Sequence, residues 1–115
     1  MRFSIRKGEA DRYDIRWPRF AHSGYFAAPE WAAPKRFTAT MGMPVTEDGV
    51  NEGENLTLAA RNALLNMINL LQERGWTRSQ AYILCSVAVD LKVSNVVDVP
   101  NVVVSAFLPE NIFGD

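Results

Sequence analysis

Ala81-Tyr82-Ile83-Leu84-Cys85-Ser86-Val87-Ala88-Val89-Asp90-Leu91-Lys92-Val93-Ser94-Asn95-Val96-Val97-Asp98-Val99-Pro100-Asn101 decides the fold, because its hydrophobic period changes partway along. Ala81, Leu84, Cys85 and Ala88 recur at spacings of three and four, the stripe of a helix. Beyond Asp90, Leu91 and Val93 alternate with Lys92 and Ser94 and the β-branched content rises, which predicts a strand running toward Val97. Asp98-Val99-Pro100-Asn101 has turn residues at both ends and a proline between them. The run Val102 to Leu108 is nearly all apolar, as expected of a strand covered on both faces, so it is predicted to be central, ending at Pro109. A helix therefore feeds a β-hairpin over residues 91–108.

Upstream, Ala60, Leu64, Met67, Ile68 and Leu71 form an apolar stripe on an earlier helix. Asn55 is placed to cap its N-terminus, with Glu52 and Glu54 near the positive end of its dipole, and Gly75 stops it. Thr77 and Gln80 supply a capping box for the helix that carries Ala81. The short connection between the two helices predicts an αα-hairpin over residues 55–90. Glu47 to Gly53 is an acidic loop leading into it. Arg36 to Met43 alternates, with Phe37, Ala39 and Met41 on one face, and reads as a strand closed by Gly42 and Pro44. Downstream, Glu110 to Asp115 reads as a short docking segment anchored by Ile112 and Phe113.

Residues 1–44 are read as strands and an aromatic loop. Phe3 and Ile5 alternate with Arg2, Ser4 and Arg6, and Tyr13, Ile15 and Trp17 alternate with Arg12, Asp14 and Arg16, so an antiparallel hairpin around Gly8 is predicted. Pro18 ends its second strand. Phe20, Tyr25, Phe26 and Trp31 lie in an irregular loop punctuated by Gly24, Pro29 and Pro34. The predicted fold class is α+β: one domain over 1–115, with a mainly antiparallel sheet of about five strands and the αα-hairpin packed on one face.

The 115 residues carry a formal net charge of −1, but residues 1–36 hold eight Lys/Arg against four acids, leaving −5 for the remainder. A basic, aromatic-rich front of this kind is able to neutralise phosphate and stack on bases. Arginines alternating with apolar residues more simply form the solvated face of a sheet, so nucleic acid is not the expected partner. A non-catalytic module using residues 1–36 to contact a partner or nucleic acid is the alternative function. One cysteine and one histidine exclude an internal disulfide and a Cys/His zinc site. Met1 is followed by polar alternation rather than an apolar leader, and no apolar run is long enough to span a membrane. A cytoplasmic location is expected.

Ser86 is a candidate nucleophile with His22 as base and Asp90 as orienter, since a hydroxyl must have a base within reach to attack an amide carbonyl. No glycines flank Ser86, so no strained strand-to-helix elbow is encoded; its hydroxyl is expected to return to a backbone carbonyl one turn back. Cys85 lies on an apolar stripe near a helix end, where a thiolate is not favoured. His22 has no ligand partner at metal spacing. Asp98 suits an Asx-type turn. Asp90 interrupts an apolar helix-to-strand passage and is, with Ser86, the carried candidate. As a purely structural group it would satisfy backbone amides of the next segment.

The order Trp17-Pro18-Arg19-Phe20, Thr40-Met41-Gly42-Met43, Ala59-Ala60-Arg61-Asn62-Ala63-Leu64, Met67-Ile68, Ala81-Tyr82, Cys85-Ser86 to Asp90 and Val97-Asp98 to Asn101 resembles the C-terminal portion of the acetamidase/formamidase family. The resemblance implies hydrolysis of a linear amide such as formamide or acetamide to carboxylate and ammonia. It also implies a divalent metal, zinc by preference, that activates water in the complete enzyme. The family's metal-binding and catalytic motifs have no counterpart positions in this sequence, so this chain alone is expected to bind no cofactor and to lack autonomous activity. The implied partners are an upstream amidase segment or subunit, further copies of the chain and a small amide, without a membrane.

Overall fold

The computed structural model describes residues 2–19, 21 and 36–114. Two compact units divide the chain, Met1–Ala32 and Ala33–Asp115. In the first, α1 (Glu9–Arg12) is a single helical turn. Residues 2–6 and 13–17 form no strand, which corrects the predicted hairpin. Gly8 takes a left-handed conformation and Glu9 and Asp11 favour the first turn of a helix, so the connector itself is ordered as helix. Two strands alone are in any case marginal in water without a third strand or a helix to cover them. Phe3, Ile5 and Trp17 stay largely exposed. The aromatic loop from Tyr25 to Trp31, and His22, lie outside the described residues.

The second unit is α+β. Its elements are β1 (Phe37–Gly42), α2 (Leu56–Glu73), α3 (Arg78–Ala88), β2 (Asp90–Asn95) and β3 (Val103–Pro109), followed by a 3-10 turn over Glu110–Phe113. The described sheet has three antiparallel strands in the order β1-β3-β2, rather than about five, with β3 central as its apolar run requires. Register places Thr40 opposite Ala106 and Gly42 opposite Val104 on one flank, and Leu91 opposite Ala106 on the other.

Both helix starts follow local chemistry. The Asn55 side chain accepts from the Leu58 amide at 3.0 Å. Thr77 accepts from the Gln80 amide while Gln80 accepts from the Thr77 amide, completing the capping box. Gly75 has φ 100° just past α2, where a side chain would be strained. The core gathers Ala59, Ala63, Met67, Ile68 and Leu71 of α2, Ala81 and Cys85 of α3, and Val102, Val104, Ala106 and Leu108. The buried stripe of α2 thus begins at Ala59 and Ala63; Ala60 and Leu64 are only partly buried. They lie on an open groove shared with Ile68, Tyr82 and Ile83.

β1 packs on α2 through its small and polar side chains. A Cβ at Gly42 would lie 2.2 Å from the Ala59 carbonyl oxygen and the Ala63 amide nitrogen, so only glycine permits this approach. Thr40 Oγ1 donates to the Ala63 carbonyl at 2.9 Å, and Asn62 Nδ2 donates to the Met43 and Val45 carbonyls at 2.8 Å. Phe37, Ala39 and Met41 do share a face, but that face points away from the helices. The helices cover β1 and β3 and leave β2, whose Leu91 and Val93 remain exposed.

Candidate functional site

Ser86 and Asp90 stand four residues apart across the α3–β2 junction, and the structure aims them differently. Ser86 Oγ donates to the Tyr82 carbonyl at 2.9 Å on the exposed flank of α3. That bond uses the hydroxyl proton locally, as expected for a serine late in a helix. Asp90 is exposed and pairs with Phe107, while Leu91 pairs with the buried Ala106. Alternation therefore sets Asp90 on the sheet face that turns away from the helices.

That open face carries the other polar groups near Asp90. Lys92 Nζ lies 5.1 Å from the Phe107 ring centroid, a cation–π distance. Ser94 Oγ and Ser105 Oγ are 2.6 Å apart, which satisfies the buried Ser105 across the strand pair. Phe37 and Phe107 meet with centroids 4.9 Å apart at 57°. The arrangement offers a carboxylate, an ammonium and a hydroxyl pair beside an aromatic wall.

The remaining sequence candidates go to local structure. Cys85 is a buried free thiol, and burial pushes its pKa up, so the thiolate is disfavoured there. Asp98 accepts from the Asn101 side chain at 3.3 Å while the Asn101 amide donates to the Asp98 carbonyl at 2.6 Å, closing the turn. Among the described residues no three His, Cys, Asp or Glu side chains come together to hold a metal ion. The groove between α2 and α3, about 880 Å³, is lined mainly by apolar side chains such as Leu64, Leu65 and Tyr82, with Arg61 and Arg78 in its wall. Its lining holds the hydroxyls of Thr57 and Ser79 but no carboxylate, histidine or cysteine.

Sequence reasoning did not single out the Arg74–Glu110 cluster. Arg74 donates to both carboxylate oxygens of Glu110, at 2.8 and 3.0 Å, and to Thr38 Oγ1 at 3.3 Å, while Thr38 donates to Glu110. The guanidinium, then the Thr38 hydroxyl, hold the Glu110 carboxyl down to about 2. Phe113 lies under Arg74 and against Trp76, 6.0 and 6.1 Å away. The C-terminal segment is thus fixed chiefly through Glu110, with Ile112 and Phe113 still substantially exposed. The pairing spans 36 residues, so no local motif announces it.

A family model described as the Acetamidase/Formamidase family matches residues 1–115. A gamma lactamase from Delftia acidovorans is similar in structure, with a TM-score of 0.75 and 34% sequence identity over 97% of this chain. The match covers 26% of that chain, so the present sequence spans about a quarter of its length. No curated protein matches.

Proposed function

The chain belongs to the acetamidase/formamidase family, and from that premise we propose that it is the C-terminal part of a linear-amide hydrolase that acts together with an upstream segment or subunit. The reaction adds water across the C–N bond of formamide or acetamide and yields the carboxylate and ammonia. The observation that carries this reading is the family match over residues 1–115, set beside a solved relative about four times as long. That relative is named for a lactam, also an amide, so the shared element is the amide C–N bond.

The described residues do not form a metal-binding group. The divalent metal, zinc by preference, is assigned to the upstream portion because the family's metal-binding motifs have no counterpart positions in this sequence. This chain's share is to wall the substrate pocket, to extend the sheet and to carry an oligomer contact. Asp90 and Ser86 remain its candidate polar contributors. In the assembled protein the Arg2–Arg6 and Arg12–Trp17 runs join the sheet as strands, bringing it to about five. The setting is the cytoplasm, in keeping with the single reduced Cys85. No helix among the described residues is long and apolar enough to cross a membrane.

Ammonia release from formamide tests the reading. The 115-residue chain alone, with added zinc, is expected to release none above background, and chain plus upstream portion is expected to release it. Chelator-sensitive hydrolysis by the chain alone overturns the division of labour, and an inactive mixture overturns the hydrolytic role.

A further inference from the structure

In a sheet with one face on helices and the other in water, apolar residues face the helices and polar ones face solvent. β1 is built the other way. Thr38, Thr40 and Gly42 face α2, whereas Phe37 and Met41 point outward and are 50% and 63% exposed. Register continues the outward face onto β3 through Phe107 and Ser105, and the Phe37–Phe107 ring contact gathers Phe37, Met41 and Phe107 into an apolar patch bordered by Lys92, Ser94 and Ser105. The helix-facing polar groups are satisfied, as Thr40 is on Ala63. The inversion is therefore not a register fault but the pattern of a strand with a close-packed layer on each side.

We propose that the open face of the sheet, centred on Phe37, Met41 and Phe107, docks the portion of an amidase-family protein that lies outside this chain's match, making the three-stranded sheet an inner layer. This rests on the functional reading above and names the surface it uses. Length identifies the occupant. The similar lactamase matches the chain over 97% of this sequence but only 26% of its own, so about three quarters of it remains to supply a covering layer. The chemistry expected of that layer follows from the face: apolar at its centre, with a carboxylate opposite Lys92 beside Phe107.

The test coexpresses the full 115-residue chain with the Delftia acidovorans gamma lactamase lacking its matching quarter, and the lactamase's own quarter supplied in the same way is the control that the remainder folds and takes a partner. Light scattering is expected to show a one-to-one complex. Met41 oxidation by hydrogen peroxide, read by mass spectrometry, is expected to slow by about an order of magnitude in that complex. Buried Met67 serves as the protected reference. Met41→Asp is expected to weaken the complex at least about tenfold, equivalent to about 1.4 kcal/mol, while Val87→Asp on exposed α3 leaves it unchanged. No complex, a complex with Met41 oxidised at the original rate, or one indifferent to Met41→Asp overturns the proposal. Protection of Met41 in the chain alone also overturns it: at dimer mass a second copy covers the face, and at monomer mass another part of the same chain does. A Met41-protecting complex that releases no ammonia from formamide, where the control with the lactamase's own quarter does, keeps the docking face and rejects the hydrolytic reading; ammonia release with Met41 unprotected does the reverse.

Discussion

A methyl group at Gly42 has nowhere to go, since the atoms it would meet, the Ala59 carbonyl and the Ala63 amide, belong to the backbone of α2. Gly42→Ala is expected to push β1 off the helix and cost about 3 kcal/mol, seen as a lowered urea midpoint at unchanged slope. Glu110 gives a pH signature. Its folded pKa, about 2, lies below the ordinary 4.5, so its contribution is complete above the ordinary value and is lost as pH falls toward 2. Wild type is expected to lose about 1 kcal/mol more than Glu110→Gln between pH 6 and pH 2, a modest amount because the pair is partly solvated; equal acid sensitivity in urea titrations would show that the clamp adds nothing. Neither residue's role was legible in sequence. Gly42 reads as a strand-closing glycine, and its packing role depends on Ala59 and Ala63, which no local spacing links to it. The same holds for the inward Thr38 and Thr40, since alternation tells which residues share a face but not which face the helices take.

Helices were the most legible elements because their ends are specified within four residues. Asn55, Gly75 and the Thr77–Gln80 pair each act where the sequence places them. Thr77→Ala is expected to cost about 1 kcal/mol and Thr77→Ser much less, by urea titration, because only the alanine removes the oxygen that accepts from Gln80. The central place of β3 was equally legible, since a run with no polar alternation has to be covered. Stripe phase was less so: Ala60 and Leu64 do pack against the core but only at its margin, while Ala59 and Ala63, equally apolar, are the ones fully buried beneath β1. The two N-terminal runs carry a strand pattern without strand structure among the described residues. A period of two states which side chains would share a face, while a strand exists only where another strand takes its hydrogen bonds.

At the scale of the molecule, every core side chain among the described residues falls between Ala59 and Leu108, so the cooperative unit is the one formed by the later part of the chain. Hydrogen exchange on the intact chain is expected to reflect this. Amides of Met67, Leu71, Ala106 and Leu108 should open only with global unfolding, and those of Phe3 and Ile5 should exchange nearly as fast as in a peptide. The candidate site divides along the same line. Asp90, Lys92 and the Ser94–Ser105 pair were visible as residues, but their gathering on one open sheet face depends on register, and the metal group implied by the family is not built from them. If Arg2–Arg6 and Arg12–Trp17 are strands that await the upstream portion, their amides should gain protection on assembly, in the order of the sheet they join. Protection of Phe3 and Ile5 already present in the lone chain would instead mean that these residues find strand partners without it, and that the alternation in this segment encodes a self-sufficient hairpin rather than an interface.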